Sequence, residues 1–360
     1  MKRRTFIKGA AVGYAATAAS PLAAPAIAQG RIQWKMVTCW PRNMPAIGVG
    51  AQRLCDRIGE MSGGRLTIKL YAAGELVPAF EVFDAVREGI AEAGHDAPYY
   101  WIAKHSAIPF FCSVPAGLTP QEHCAWITSG GGQALWDELN ADFGVRAFLA
   151  GSGCPNMGGW FRREINSPAD LDGLRMRIPG LGAEVFSRLG VITVNMPGSE
   201  VLPALQSGAI DATEWAGPYI DLALGLYKVA PYYYGPGIHE PGPAISLLVN
   251  NEAYEELPND LKAMVQAAAA EDNGRMIFET TAFNATALQT LIEKHDVDVR
   301  HFPDEVISLM LSNAEDVLRE TAAKTEIGQR VFESWNAFRG RMIGNAAYSE
   351  MGYLNRRAAG

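Results

Sequence analysis

Two arginines, two glutamates and a group of aromatic residues are the side chains of this sequence best suited to hold a small anion. Arg175 and Arg177 alternate with Leu174, Met176 and Ile178, and Pro179-Gly180 ends the run. That alternation is a strand pattern. A guanidinium at a strand end facing a cleft can clamp a carboxylate with two parallel hydrogen bonds. Alternation puts both arginines on one face and does not choose between them. A solvated arginine or a structural ion pair fits the same pattern. Glu214 and Trp215 end another strand, and His239-Glu240 follows a Tyr-rich loop. Carboxylate and carbonyl oxygens suit a hard cation, although a strand-end glutamate and a core tryptophan need no such role. Tyr99, Tyr100 and Trp101 follow a strand, and Trp40 follows another. Their rings and hydroxyls suit the rim of a small-acid site, and packing alone explains them equally well. Enzyme readings find little support. The sequence has no G-x-S-x-G, H-E-x-x-H or P-loop motif. Ser129-Gly130-Gly131-Gly132 lacks the rest of a phosphate loop. The six histidines are scattered, and only Cys154 with His239 is left as a conceivable nucleophile pair.

The elements that must position these residues follow from periodicity. Arg31–Thr38 and Leu66–Leu70 alternate as strands, with a helix over Val49–Met61 between them that stops at Gly63-Gly64. A helix over Phe80–Glu88 and a short strand complete β-α-β-α-β, which implies an α/β layer with a mainly parallel sheet. A second such block covers about residues 150–240. Its strands are expected at Ala147–Ala150, Leu174–Ile178, Val191–Met196 and Ile210–Trp215, and its helices at Glu184–Leu189 and Glu200–Gln206. Pro231–Pro243, dense in Pro, Gly and Tyr, reads as a structured loop and crossover. From Asn259 to Lys294 an apolar stripe predicts one long helix of about 54 Å, with a kink expected at Gly274. A strand over Val297–Phe302 and helices over Asp304–Lys324 and Ile327–Phe338 follow. Two α/β blocks joined by crossovers and one long helix predict two lobes around a cleft, where ligands of open α/β sheets bind.

Composition narrows the function classes. The chain has 360 residues, 48% hydrophobic and 19% charged, with a formal net charge of −8. Such an acidic chain lacks the basic footprint of a nucleic-acid binder. Residues 1–28 read as a cleaved export signal. A Lys2-Arg3-Arg4 n-region precedes a charge-free Ala/Gly-rich stretch ending in Ala26-Ile27-Ala28. Arg3-Arg4-x-Phe6-Ile7-Lys8 looks like a twin-arginine signal. Its removal deepens the net charge to −12 and leaves a protein expected in the periplasm. The five cysteines form no C-x-x-C pair. Buried free thiols and a disulfide such as Cys112–Cys124 both stay open.

Four segments together resemble the solute-binding proteins of TRAP (tripartite ATP-independent periplasmic) transporters. They are Met157-Gly158-Gly159-Trp160-Phe161, Leu171–Gly180, Ala204–Trp215 and Tyr232–Pro241. Asp170-x-x-Gly173-x-Arg175-x-Arg177 carries the wider family pattern. Glu214-Trp215-x-Gly217-Pro218 and His239-Glu240-Pro241-Gly242 look like the branch that binds 2-oxo acids and related carboxylates. The resemblance implies a two-lobed periplasmic binding protein fold with a lobe-spanning helix and C-terminal helices. It implies no catalysis: a small organic acid, a 2-oxo or 2-hydroxy monocarboxylate, is captured by hinge closure and passed to TRAP membrane permease subunits. It assigns Arg177 to the solute carboxylate and leaves Arg175 structural. Glu214, the Trp215 carbonyl and Glu240 would hold a Na+ or Ca2+ ion bridging to the solute. Asn156, Trp215, Tyr99, Tyr100 and Glu240 would touch the solute, with His239 structural. Asn156 departs from the pattern, since that branch has Gln before Met-Gly-Gly-Trp. Its shorter stem is compatible with a larger ligand, a different cation or weaker cation binding. On this reading residues 29–150 with about 242–290 form the first lobe, and 151–241 with about 291–340 the second. Residues 341–360 form a C-terminal tail. Other cargo such as an aromatic or sugar acid, a ligand-sensing module for a signalling receptor, and a homodimer through the C-terminal helices remain alternatives.

Overall fold

The computed structural model describes residues 30–359; the export-signal reading of residues 1–28 lies outside them. The elements in chain order begin with β1 (Ile32–Thr38), α1 (Ile47–Met61), β2 (Leu66–Tyr71), α2 (Val82–Arg87) and β3 (Ala93–Asp96). Next come α3 (Pro120–Ser129), α4 (Gly132–Ala141), β4 (Val145–Ser152), β5 (Gly159–Phe161), β6 (Arg175–Arg177) and α5 (Gly180–Ser187). Then follow β7 (Ile192–Val194), α6 (Gly198–Ser207), β8 (Ala212–Thr213), α7 (Pro218–Leu224), β9 (Tyr232–Gly235) and β10 (Ala244–Asn250). The chain ends with α8 (Asn251–Glu255), α9 (Asn259–His295), β11 (Asp298–His301), α10 (Asp304–Ala322), α11 (Glu326–Ala346) and α12 (Glu350–Ala359).

The strands form two sheets, one ordered β2-β1-β3-β10-β4 and the other β11-β9-β5-β8-β6-β7. The predicted β-α-β-α-β run builds the parallel part of the first sheet, β2-β1-β3. The expectation of a mainly parallel sheet needs correcting beyond it. β10 crosses over from the far end of the second block and runs antiparallel between β3 and β4. β5 likewise sits antiparallel between β8 and β9. A crossover strand arriving from the other half is not constrained by a local βαβ connection, so local periodicity cannot give its direction.

The alternation of Trp34 and Met36 with Gln33 and Lys35 in β1 is a real inside–outside pattern, but its last three residues are buried on both faces. One face of the first sheet packs on α1 and α9, where Leu54, Ile58, Leu66, Leu247 and Val265 share a core. α2, α3 and α4 pack on the same half through a larger core that includes Phe83, Trp126 and Trp136 and continues to the second sheet. α9 runs unbroken for 37 residues, with no interruption at Gly274, about 56 Å at 1.5 Å per residue. It packs on β4 and α1 of one half and on α7 of the other, so a single rod touches both. α10 lies on α5, and α11 turns back to α3 and α4. The chain beyond residue 340 is helical: α11 continues to Ala346, and α12 follows with no buried residue. All five cysteines are free, including Cys112 and Cys124. Among the described residues no helix is long and apolar enough to cross a membrane.

Candidate functional site

The ends of the two sheets face a cavity between them, the position where open α/β folds hold small molecules. Trp40, Ile47, Tyr99, Tyr100 and Ile245 line it from the first sheet's half, and Asn156, Trp215, Gly217, Ile220 and Glu240 from the second's. α9 supplies Met276, Thr280 and Asn284. Backbone hydrogen bonds join the three lining segments of the second half. Asn156 N donates to Glu240 O (3.3 Å), Gly237 N to Asn156 O (2.9 Å) and Met157 N to Ala216 O (3.0 Å).

Behind this lining lies a buried charged cluster. β6 and β8 are parallel neighbours with Arg177 opposite Thr213, and Glu214 N donates to Arg177 O at 3.1 Å. This register brings the two side chains together at the carboxyl ends of their strands. Arg177 Nη1 donates to Glu214 Oε1 at 2.5 Å and to Glu214 O at 3.2 Å. Its Nε reaches Met196 O at 3.2 Å, and its Nη2 donates to the Tyr100 hydroxyl of the other half at 3.3 Å. The guanidinium also lies 4.6 Å from the Trp215 ring centre, a cation–π contact. His239 Nε2 is 3.3 Å from Glu214 Oε2. The Arg177 and Glu214 side chains are 1% and 0% exposed. Arg175, by contrast, is solvated at the other end of β6 and pairs bidentately with Asp211. Depth in the cleft, not strand face, separates the two arginines.

Glu214, His239 and Glu240 bring one ligand atom each within 4.8 Å of one another. Burial, and then the charge of Glu214, push the Glu240 carboxyl well above the usual carboxylate range. With both carboxylates ionised, the cluster would carry more negative charge than Arg177 alone relieves. Asn156, 4% exposed, leaves its Nδ2 without a hydrogen-bond partner. Two buried carboxylates rich in oxygen donors, short of positive charge, fit a hard cation. The fit is one of donor chemistry and charge.

The structure therefore gathers Arg177, Glu214, Trp215, Glu240, Asn156, Tyr99 and Tyr100 in one place. The resemblance assigns Arg177 to the solute and Glu214 to a cation; in the structure the two are bonded to each other. Trp101 falls outside, because its indole donates to buried Asp96 at 2.6 Å. Cys154 meets Thr281 at 3.1 Å while His239 meets Glu214, so these two do not form a nucleophile pair. Sequence reasoning missed Ile47, Ile220, Ile245, Met276, Thr280 and Asn284, which carry no motif.

One more buried carboxyl shapes the site. Asp221 accepts from Trp160 Nε1 (2.9 Å), Tyr233 OH (2.8 Å) and Ala216 N (3.1 Å), holding the lining segment before α7. Burial pushes it up to about 7. An acid whose folded pKa is raised contributes stability below its unfolded pKa, near 4, and loses it as pH rises through 7. Unfolding of the ligand-free protein followed from pH 4 to 8 is expected to show Asp221 as a falling component of stability. Asp221→Asn removes that component; an unchanged pH slope in the variant contradicts it.

Two sheets bridged by one helix, with a buried arginine and carboxylates at the cleft, define a two-lobed solute-binding protein. The description of bacterial extracellular solute-binding proteins, family 7 (DctP), matches residues 36–325, and the chain belongs to this family of TRAP solute-binding proteins. It is 41% identical over 360 residues to the monocarboxylate 2-oxoacid-binding periplasmic protein of Nostoc sp. (strain PCC 7120), covering 99% of this chain and 98% of that one. A TRAP solute-binding protein of Bordetella bronchiseptica RB50 superposes with a TM-score of 0.89 at 37% identity, over 91% of this chain and 98% of the other. It is described as a mixed occupancy dimer, with calcium and picolinate in one site and the other apo. One from Colwellia psychrerythraea, with bound calcium and pyruvate, gives 0.88 at 35%, over 91% and 100%. One from Pseudoalteromonas atlantica T6c, with bound sodium and pyruvate, gives 0.88 at 35%, over 91% and 99%.

Proposed function

We propose that this protein captures a monocarboxylate 2-oxo acid together with Na+ or Ca2+ in the cavity between its lobes. The carrying observation is the buried Arg177–Glu214–Glu240 cluster against a largely apolar lining. When bound, the cation supplies the positive charge that two buried carboxylates lack. Glu214 and Glu240, with the Trp215 carbonyl, would hold it. Arg177 orients and neutralises the solute carboxylate, with Tyr100 fixing the guanidinium. Asn156 offers its unpartnered amide N–H to a solute oxygen. Trp40, Ile220, Ile245 and Met276 exclude water and accept an apolar tail. No bond of the solute is changed; the work is capture and release, and a ligand favours closure only through its higher affinity for the closed form. The named ligands of the relatives, pyruvate and the Nostoc protein's 2-oxo acids, support this reading. Picolinate in the Bordetella protein, beside the shorter stem of Asn156, favours an aromatic 2-carboxylate as the second candidate cargo.

The first lobe is taken as residues 29–150 with about 242–290, and the second as 151–241 with about 291–340; α11 packs back on the first. Export through the twin-arginine-like residues 1–28 would place the protein in the periplasm, where TRAP membrane permease subunits receive the solute. Exposed Tyr348, Met351 and Tyr353 on and before α12 would face a second copy. Sedimentation velocity is expected to show a dimer that is lost when residues 347–360 are removed; a monomeric full chain rejects that interface.

Thermal unfolding with pyruvate, 4-methyl-2-oxovalerate and picolinate, each with Ca2+, Na+ or chelator, tests the function. A ligand at 100 times its dissociation constant stabilises by about 2.7 kcal/mol. A cation-dependent rise with a 2-oxo acid is expected. No rise with any 2-oxo acid overturns the proposal.

A further inference from the structure

The cavity wall from Trp215 to Ile220 is held from outside by a carboxylate that does not line the cavity. Tyr219 lies within this segment, in the first turn of α7, and its hydroxyl donates to Glu279 Oε1 of α9 at 3.3 Å. The other oxygen, Glu279 Oε2, accepts from Arg53 Nη1 of α1 at 3.2 Å. Arg53 also pairs through Nε with Asp272, two turns earlier on α9. Five residues beyond Glu279, Asn284 Oδ1 accepts from Tyr219 N at 2.9 Å. Gly217 makes that approach feasible, because a Cβ there would lie 2.8 Å from Asn284 Nδ2. The Arg53 and Glu279 side chains are only 18% and 16% exposed, so the pair is less screened than a surface ion pair. α1 sits between β1 and β2 of the first sheet, and α7 between β8 and β9 of the second. One carboxylate thus ties both halves to the same stretch of α9.

We infer that Glu279, with Tyr219 and Arg53 as partners, is a positioning residue. It holds the Trp215–Ile220 wall against the first half and sets how long the solute stays bound. The inference rests on the 2-oxo acid reading for its solute, but the linkage itself is independent of it. The segment Glu279 positions is continuous with Glu214 and Trp215. Loosening α7 therefore frees the wall, Ile220 with it, without removing any group that touches the solute. The effect belongs in the dissociation rate, where most affinity differences among related sites reside.

The test uses Tyr219→Phe, which keeps the ring contact with Phe283 (5.1 Å between centres), Glu279→Gln, and the double variant. Stopped-flow tryptophan fluorescence with pyruvate and Ca2+ reads both rates. Each single variant is expected to raise the dissociation rate about tenfold with the association rate within about twofold. The double variant is expected to match Glu279→Gln alone, since both changes break one linkage. Unchanged dissociation in both singles, or fully additive effects, overturns the inference. Hydrogen exchange of the α7 amides is the second readout and needs no solute. Both variants are expected to speed exchange there while leaving β1–β3 unchanged. If wild-type protein ignores pyruvate, the cargo reading fails, and exchange still decides the linkage: unchanged α7 exchange overturns it.

Discussion

Arg177→Ala is expected to lower affinity for a 2-oxo acid at least 1000-fold in isothermal titration, and to lower the melting temperature as well. Both effects follow from the same atom pair. The guanidinium pairs directly with Glu214, and both are fully buried. Removing one partner of a buried pair strands the other charge, at a cost of about 3–5 kcal/mol. The solute loses a charge-assisted double hydrogen bond in a site with little water to replace it. Stability and binding must therefore be separated. Arg177→Met with Glu214→Gln replaces the pair by neutral groups of similar volume, which is close to neutral in other buried pairs. This double variant is expected to regain most of the wild-type melting temperature and still fail to bind. Arg177→Lys keeps the charge but loses the planar fork, and about 10–100-fold weaker binding is expected. Binding by Arg177→Ala within tenfold of wild type contradicts the assignment of Arg177 to the solute.

The second large effect is expected on removing the cation. With chelator and no sodium, 2-oxo acid affinity should fall about 100-fold or more. Glu240→Gln should reproduce that loss and no longer respond to added Ca2+. The reason is electrostatic. Glu240 is forced up by burial and by Glu214, so without a cation its carboxyl is driven toward the protonated form. A cation requires the deprotonated form and competes with the proton. Affinity for Ca2+ and the solute should therefore rise with pH in wild type, and this pH dependence should flatten in Glu240→Gln. Losing a direct ligand should exceed the 10–100-fold typical of changing a residue behind a ligand. Titration of pyruvate in Ca2+, Na+ and chelator at pH 6 and pH 8 measures both. Equal affinity in all three solutions contradicts a cation in the site and leaves Arg177 to act alone.

Particular elements show why part of the fold was readable and part was not. α9 announced itself because 37 residues of helical periodicity admit few other readings. β2 and the first half of β1 were readable because polar residues alternate there with apolar ones. β10 was readable as neither parallel nor antiparallel, since its partners β3 and β4 lie about 100–150 residues away in the chain. α3 and α4 were passed over, although Thr119-Pro120-Gln121-Glu122 is a start signal. The structure closes the capping box there, with Thr119 N donating to Glu122 Oε2 at 2.9 Å. Pro218 and Gly225 bracket α7 in the same way, with the glycine left-handed at its end.

The sequence by itself determined the α/β class, the long helix and which residues are chemically able to meet a carboxylate and a cation. Those properties are local: periodicity over one element and the donor set of a side chain. Sequence alone puts Ala147–Ala150 in the second block and reads Pro231–Pro243 as a loop, whereas β4 pairs in the first sheet and β9 forms at Tyr232–Gly235. Only the tertiary structure decided that Arg177 rather than Arg175 is buried, because depth in the cleft depends on β7, β8 and the Tyr100 loop together. It alone bonded Arg177 to Glu214, through the register of two strands 35 residues apart. It alone brought Met276, Thr280 and Asn284 of α9 to the cavity, and Glu279 to Tyr219 and Arg53. A stripe on a helix says which face is apolar, whereas what that face meets is set by long-range packing that no local pattern encodes.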